Sequence, residues 1–323
     1  MSFIDSFFDE INALRHYDKF IKAGGGVGEV KKAVSWSTWY AVKWWDELRH
    51  ELGLDADKSL FGKALFMSLR ARGIIDDDGK IVKRVERPER PTNAYAAEFV
   101  ELHDSFDALG ATSVAKGAVD LEKLRLLYSA MLAQGWYNVM RDTFLDVVEV
   151  ERYSKIIEPH CKEGLMAYSV LRRHQPDKYF AYDPEPDDVE ATATLLGATP
   201  NVCEDKVCVF QTATICEGTS REAAARFGGQ YDAALLFHTL YWMSDPLSEL
   251  ACLKRLLRPG AALLVGQQVV ESTPGLLAMV VSFGAKRIFK WKEVESLLEA
   301  AGFELEKRFV KYTPYYIAIW RSP

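Results

Sequence analysis

The stretch from Tyr231 to Val265, YDAALLFHTLYWMSDPLSELACLKRLLRPGAALLV, constrains the fold more than any other part of the chain. Asp232 to Phe237 is a short, continuous apolar run of the kind that forms a strand buried on both faces of a parallel sheet. Leu247, Leu250, Leu253, Leu256 and Leu257 then recur at helical spacing, and Arg258, Pro259 and Gly260 are predicted to stop that helix before a second strand. Strand, short loop, helix, Pro-Gly turn and strand make up half of a nucleotide-type α/β domain.

The order and wording of these pieces resemble the class I S-adenosylmethionine-dependent methyltransferases, especially the small-molecule O-methyltransferases. In that family a strand ends in a Leu-His-Asp-Trp-Ser-Asp loop, followed by a helix and a Pro-Gly turn; here Leu240-Tyr241-Trp242-Met243-Ser244-Asp245 fills the same places without a gap. The likeness continues through Phe289-Lys290-Trp291, a helix Lys292 to Ala301, Gly302-Phe303, and two final strands over Leu305 to Tyr312 and Tyr316 to Arg321. It covers the chain from about residue 155 to the end. It implies an α/β fold, a doubly wound Rossmann-like methyltransferase sheet in the C-terminal part, with a mainly α-helical, winged-helix-like N-terminal domain.

The 323 residues suffice for one large or two ordinary domains, 49% of them are hydrophobic, and the net charge is −6. Such a balance gives no broad attraction to phosphate backbones or anionic membranes, so neither nucleic acid nor membrane is expected as a partner. The N-terminus carries acidic residues in its first ten positions and does not read as a signal peptide, and no apolar stretch approaches the roughly 20 residues that span a bilayer. The five cysteines, Cys161, Cys203, Cys208, Cys216 and Cys252, form no CxxC pair and leave an odd one over; a reducing cytoplasm is the expectation.

Along the N-terminal part, Ile4, Phe7, Phe8, Ile11, Leu14, Tyr17 and Ile21 are spaced for an amphipathic helix over residues 2–22, ended by Gly24-Gly25-Gly26. The glycines of GGGVGE, residues 24–29, follow a helix rather than a strand, so they read as a connector and not as a cofactor loop. Trp36, Trp39, Tyr40, Trp44 and Trp45 load one stretch with aromatics, for which packing in the core or a dimer is the expectation ahead of a ligand box. A helix pair, then Gly73-Ile74-Ile75, an Asp77-Asp78-Gly79 turn and Lys80-Ile81-Val82, looks like the winged-helix dimerisation domain of many O-methyltransferases. The acidic turn argues against reading of DNA, where phosphate contacts need Lys and Arg. RVERPERP, from Arg84 to Pro91, is a polar, proline-punctuated boundary. The expected division is residues 1–90 as the dimerisation domain of a homodimer, 91–150 as linker and substrate-pocket helices, and 151–323 as the methyltransferase-like domain. Helices are expected around Ala94 to Leu109 and Leu121 to Val148, and the resemblance makes Trp136, on the second, a wall of the substrate pocket.

The cofactor of the resembling family, S-adenosylmethionine, needs a strand, a glycine-rich turn, a helix, and an acid at the end of the next strand to accept hydrogen bonds from the ribose. Lys155 to Ile157, Glu158 to Gly164, Leu165 to Arg173 and Tyr179 to Tyr182 are the corresponding segments, with Asp183 in the ribose position. The turn departs from the acid-x-Gly-x-Gly-x-Gly pattern: Glu158 and Gly164 match, while His160 and Lys162 stand where glycines are expected. A left-handed backbone at either costs about 1–2 kcal/mol, and the long side chains must point away from the cleft or occupy it. Gln211 and Thr212, after the strand Val207 to Phe210, fall where the family contacts adenine, and Phe237, at the end of the strand Asp232 to Phe237, is a further candidate cofactor-binding residue.

The catalytic loop departs as well. The family's proton-abstracting histidine falls on Tyr241, whose ordinary pKa of about 10 makes it a poor base, and the histidine's partner acid falls on Gly266. His238 is the nearest alternative base; Tyr241 and Trp242 are candidate walls for an aromatic or cationic acceptor. His16, His50, His103 and His174 show no metal-ligand spacing, so no metal is expected. The resemblance implies methyl transfer to a small-molecule acceptor. The altered loop and missing histidine leave open a methyltransferase-like protein with another ligand, a cofactor-independent reaction or a non-catalytic partner role, and the winged-helix-like segment leaves open a transcriptional regulator.

Overall fold

The computed structural model describes residues 17–203, 205–311 and 315–323. A seven-stranded sheet carries the C-terminal half: β1 (Lys155–Pro159), β2 (Lys178–Asp183), β3 (Val207–Gln211), β4 (Tyr231–Phe237), β5 (Leu257–Gln267), β6 (Glu304–Val310) and β7 (Tyr316–Arg321). Its spatial order is β3-β2-β1-β4-β5-β7-β6, parallel except for β7, which runs antiparallel to both neighbours. The order reverses between β1 and β4, and the crevice beyond the C-terminal ends of these two strands is where a doubly wound sheet holds its ligands.

Small residues let the central strands pack tightly. Ala233 and Ala234 of β4 face Ile156 and Ile157 of β1 on one side and Ala262 and Leu263 of β5 on the other, all fully buried. Asp232 fixes the register at the opposite end, accepting from the N–H groups of Ser154 (3.1 Å) and Lys155 (3.0 Å) and from Arg258 Nε (2.7 Å). Arg258, Pro259 and Gly260 belong to β5 and do not stop the preceding helix, which runs only from Pro246 to Lys254. The reason is that the Tyr231 N–H claims the Leu256 carbonyl at 2.8 Å, while Gly260 at φ 73° turns its N–H onto Ser322 O at 2.7 Å. Helical leucine spacing ran on into residues that the sheet captures.

The N-terminal layer is helical. Helix Val27–Leu52 buries Trp36, Tyr40, Trp44, Trp45 and Leu48 on one face, and each of its buried indoles finds an acceptor: Glu89 O for Trp36 (3.0 Å), Asp107 Oδ1 for Trp44 (2.8 Å) and Gly79 O for Trp45 (2.8 Å). These aromatics are core, as expected. The run of glycines at 24–26 turns the chain between a helical stretch over residues 17–23 and this helix; residues 2–16 of the expected N-terminal helix lie outside the described residues. Helix Leu60–Ala71 follows, and then the Asp76–Gly79 turn, closed by one antiparallel bridge between Ile75 and Ile81. The expected helix over Leu121 to Val148 is two, Leu121–Ala133 and Gly135–Val147, because Gln134 is extended and Gly135 lies where a Cβ would strike the Tyr95 ring at 2.4 Å. Helix Pro274–Ser282, which the periodicity reading did not identify, reaches from the sheet half into the helical layer, where the Leu276 N–H donates to Ser37 Oγ (3.0 Å).

Two cysteine pairs are joined, Cys203 with Cys208 and Cys216 with Cys252, while Cys161 is free and buried. The lack of a CxxC motif did not exclude these pairs: Cys203 precedes β3 and Cys208 lies on it, while Cys216 lies in the loop after β3 and Cys252 on helix Pro246–Lys254. Among the described residues no helix is long and apolar enough to cross a membrane, and no group of three or more His, Cys, Asp or Glu is arranged to hold a metal ion.

Candidate active site

The loop after β1 has the backbone of a glycine-rich turn without its glycines. His160, Lys162 and Gly164 stand at φ 51°, 53° and 74°, so all three alternate positions are left-handed. Strain of this kind persists where surrounding structure over-determines it. The Cys161 N–H donates to Tyr182 O (3.1 Å), the Lys162 N–H to Asp183 Oδ2 (3.0 Å), and Thr192 Oγ1 to Lys162 O (2.6 Å). Gly164 is indispensable on other grounds, since a Cβ there would lie 2.7 Å from Thr192 Cγ2.

Side chains of this loop divide the crevice. Asp183, fully buried, accepts from the Glu185 N–H (3.0 Å) and from Lys162 Nζ (3.4 Å), and Lys162 Nζ lies equally close to Asp188 Oδ2 (3.4 Å). The same ammonium sits 5.1 Å from the Trp242 ring, a cation held by two carboxylates and an aromatic face. Burial works against its charge, but Asp183 and Asp188 outweigh that and hold its pKa above the ordinary lysine value. On the outer side of this barrier is a trough of about 490 Å³, walled by Leu124, Tyr128, Pro184, Asp188, Ala213, Trp242 and Phe283 among others. On the inner side is a cavity of about 40 Å³, lined by Tyr128, Tyr137, Arg141, Glu158, Phe237 and His238 among others. Tyr128, His160, Lys162, Glu163 and Trp242 line both.

Several ionisable groups are sequestered around the inner cavity. Glu158 is pushed up to about 8 by burial, although the Tyr179 hydroxyl donates to it at 2.6 Å. His238 is pulled down to about 3, first by burial and then by the positive charge of Arg141. Among the described residues neither ring nitrogen of His160 has a hydrogen-bond partner; Nε2 lies 3.6 Å from Glu249 Oε1, to which the Tyr182 hydroxyl donates at 2.8 Å.

The sequence-derived candidates are distributed unevenly over this site. Glu158, His160, Lys162, Phe237, His238 and Trp242 line the inner cavity, and Asp183 and Gly164 hold the loop beneath it. Tyr241 lines neither cavity: it lies behind His238, the two rings stacked 6.4 Å apart, and burial drives its hydroxyl far above the ordinary range. Gln211 is exposed, Thr212 is turned onto Thr214 O, and it is Ala213 that reaches the trough. Trp136 faces a separate apolar cavity of about 270 Å³ in the helical layer, with Phe20, Phe99 and Leu276. Gly266 admits no partner acid, because any Cβ would meet the Phe237 ring at 2.9 Å and the Phe144 ring at 3.0 Å. Arg141, Tyr137 and Tyr128 enter the site without having been singled out; their helices were read, but only tertiary packing turns these faces toward the loop. Gln268, whose N–H contacts His238, likewise gave no signal beyond its place after an apolar strand.

A family model described as a methyltransferase domain matches residues 137–308, more than half of the chain, including the loop after β1, Asp183 and His238. The chain belongs to the methyltransferase-domain family. Within the family it is similar to the ubiquinone biosynthesis O-methyltransferase of Dinoroseobacter shibae, 30% identical over 111 residues, which is 30% of this chain and 44% of that protein. The chain thus matches less than half the length of this curated relative. The methyltransferase fold extends to solved structures of lower identity. The citrinin polyketide synthase CMeT domain superposes with a TM-score of 0.62 at 13% identity, over 97% of each chain. The O-methyltransferase family 2 protein from Planctomyces limnophilus, in complex with apigenin, gives 0.53 at 14% identity, over 94% of this chain and 95% of that one. Both likenesses include the N-terminal helical layer and concern the fold.

Proposed function

We propose that the protein transfers a methyl group from S-adenosylmethionine to a small-molecule acceptor. The observation that carries this reading is the loop itself: three left-handed residues at 160, 162 and 164, curled beneath Asp183 at the point where the strand order reverses. The residues fit the cofactor. Asp183 stands to receive the ribose hydroxyls, Pro184 and Ala213 wall the adjoining trough, and the Lys162 ammonium can pass from Asp183 to Asp188 without losing a carboxylate. When bound, the cofactor supplies an electrophilic methyl carbon on a sulfonium. The chain's own part is to orient the acceptor between Tyr128, Trp242 and the inner cavity and to exclude water there, since alignment of donor and acceptor supplies much of the acceleration in such transfers.

The test is binding of S-adenosylhomocysteine, followed by calorimetry and thermal unfolding. Ligand at 100 times its dissociation constant should raise stability by about 2.7 kcal/mol; no shift at millimolar ligand overturns the reading. A homodimer built through a winged-helix-like N-terminal layer belongs to the same proposal. It is supported by the apolar spacing of Ile4, Phe7, Phe8, Ile11 and Leu14 in the sequence and, among the described residues, by the apolar cavity lined by Phe20 and Ile21. Light scattering of the full chain tests it, and a monomer at micromolar concentration rejects it.

A further inference from the structure

His238 follows β4 directly and holds a left-handed backbone at φ 54°. Two main-chain contacts fix it: its own N–H donates to Gly266 O at 2.6 Å, and its Nδ1 accepts from the Gln268 N–H at 3.0 Å. A ring nitrogen that accepts carries no hydrogen, so the neutral imidazole has its proton on Nε2. Protonating Nδ1 would set its new hydrogen against the Gln268 N–H, in a ring already buried beside a guanidinium. Nε2–H is therefore a fixed neutral donor and not a base, which reverses the role the sequence suggested for this histidine. Nε2 has no hydrogen-bond partner among the described residues.

Arg141 lines the same cavity and is 3% exposed. Its guanidinium donates to Asn138 Oδ1 (2.7 Å) and Leu132 O (3.1 Å), and among the described residues no carboxylate is paired with it. The other charged groups at the cavity do not supply one: Glu163 accepts from Ser129, Lys162 is held by Asp183 and Asp188, and Glu158 is largely protonated at neutral pH because burial lifts it to about 8. A buried cation is ordinarily paired, and a buried donor ordinarily has an acceptor. The cavity of about 40 Å³ has room for a functional group and not a whole molecule, and Tyr128 and Trp242 line both it and the trough, where an attached ring can lie.

We infer that the inner cavity is an oxyanion site, and that the acceptor is a delocalised oxygen anion, a phenolate or an enolate, whose oxygen sits between His238 Nε2–H and Arg141. This rests on the methyl-transfer reading. The acceptor gives its proton to solvent before it enters; its electron pair then forms the bond to the methyl carbon while the carbon–sulfur pair departs with sulfur. His238 neither takes nor releases a proton.

The experiment uses full-length protein labelled with ¹⁵N-histidine, its His238 signals assigned by their loss in His238→Asn, a residue that tolerates the left-handed backbone. Long-range ¹H–¹⁵N spectra should show the Nε2–H tautomer, unchanged across the neutral range, and 4-nitrophenolate or the enolate of pentane-2,4-dione should shift the Nε2 resonance. The arm that shifts it more names the acceptor type. 4-Nitroanisole, which has no anionic oxygen, should leave it in place, and His238→Asn should weaken phenolate binding about tenfold with S-adenosylhomocysteine affinity unchanged. An Nδ1–H tautomer, a midpoint near neutrality, or equal binding of anion and neutral ether overturns the inference. Should His238→Asn not fold, the wild-type tautomer and the anion-against-ether comparison still decide. Anion binding without S-adenosylhomocysteine binding would reject the cofactor reading and keep this site; the converse would reject the site alone.

Discussion

Lys162 Nζ lies 3.4 Å from the carboxylate of Asp183, so the acid at the ribose position is already engaged by a cation from the loop above it. A ribose must displace that ammonium, which can retreat to Asp188 at the same distance. Replacing the ammonium by an isosteric apolar head should therefore help binding and harm the fold. Lys162→Met is expected to tighten S-adenosylhomocysteine binding about tenfold, roughly 1.4 kcal/mol, and to lower unfolding stability by about 2 kcal/mol through loss of charge-assisted hydrogen bonds. Titration calorimetry and urea unfolding give the two numbers. Weaker binding in the variant would mean that Lys162 holds the ligand instead of guarding the acid.

Gly164 is the one position of the loop that cannot carry a side chain. Its φ of 74° is shared by His160 and Lys162 in kind, but a Cβ at 164 would also lie 3.0 Å from the Thr192 main chain, which has nowhere to move within helix Pro186–Leu196. Gly164→Ala should cost about 2–4 kcal/mol, from left-handed strain and overpacking together. His160→Gly and Lys162→Gly relieve left-handed strain, which for Lys162 offsets the loss of its bonds to Asp183 and Asp188, so chemical denaturation of the three variants should place Gly164→Ala below the other two.

These residues also mark how far the sequence was legible. Strand β7 over Tyr316–Arg321 and helix Leu165–Arg173 coincide with their expected bounds, because apolar runs and helical spacing there are bounded by clear turns. The doubly wound order and the loop beneath Asp183 follow from the same pattern. Chemistry was harder to read, since Arg141 and Gln268 matter only through what packing brings beside His238. Alignment placed an acid's role on Gly266, which two phenylalanine rings reserve for hydrogen alone, and placed a base's role on Tyr241, which packing hides behind His238. A linear motif assigns a position but does not say which way its side chain faces.

Glu158 gives the fold an unusual pH dependence. Burial raises its pKa to about 8, so between the ordinary carboxylate value and that point the folded state holds a proton that the unfolded chain has released. Stability contributed by this group is therefore fully present at low pH and is lost as pH rises toward about 8, with a slope of up to about 1.4 kcal/mol per pH unit. Glu158→Gln keeps the neutral shape without the titration. The difference in unfolding free energy between variant and wild type should grow in favour of the variant from pH 5 to pH 8; a flat difference would mean that Glu158 is ionised in the folded protein.

The Cys216–Cys252 link bears on the site as well as on stability. Cys216 lies in the loop that carries Ala213, and Cys252 on the helix that follows Trp242 and Ser244, so the bond ties together two walls of the trough. With the partners 36 positions apart, the chain-entropy account gives about 4 kcal/mol of stabilisation, against about 2 kcal/mol for Cys203–Cys208, five positions apart. Unreduced protein, once denatured, should titrate one thiol, that of Cys161, and reduced protein five. The double variant Cys216→Ser with Cys252→Ser should lower the urea midpoint by an amount equivalent to about 2–4 kcal/mol and weaken S-adenosylhomocysteine binding, because the freed loop lets the Ala213 wall move away from Trp242. Five thiols in the unreduced chain would show that the partners meet without bonding. The same stability loss with unchanged affinity would place the trough's rigidity in the strand ends instead of the disulfide.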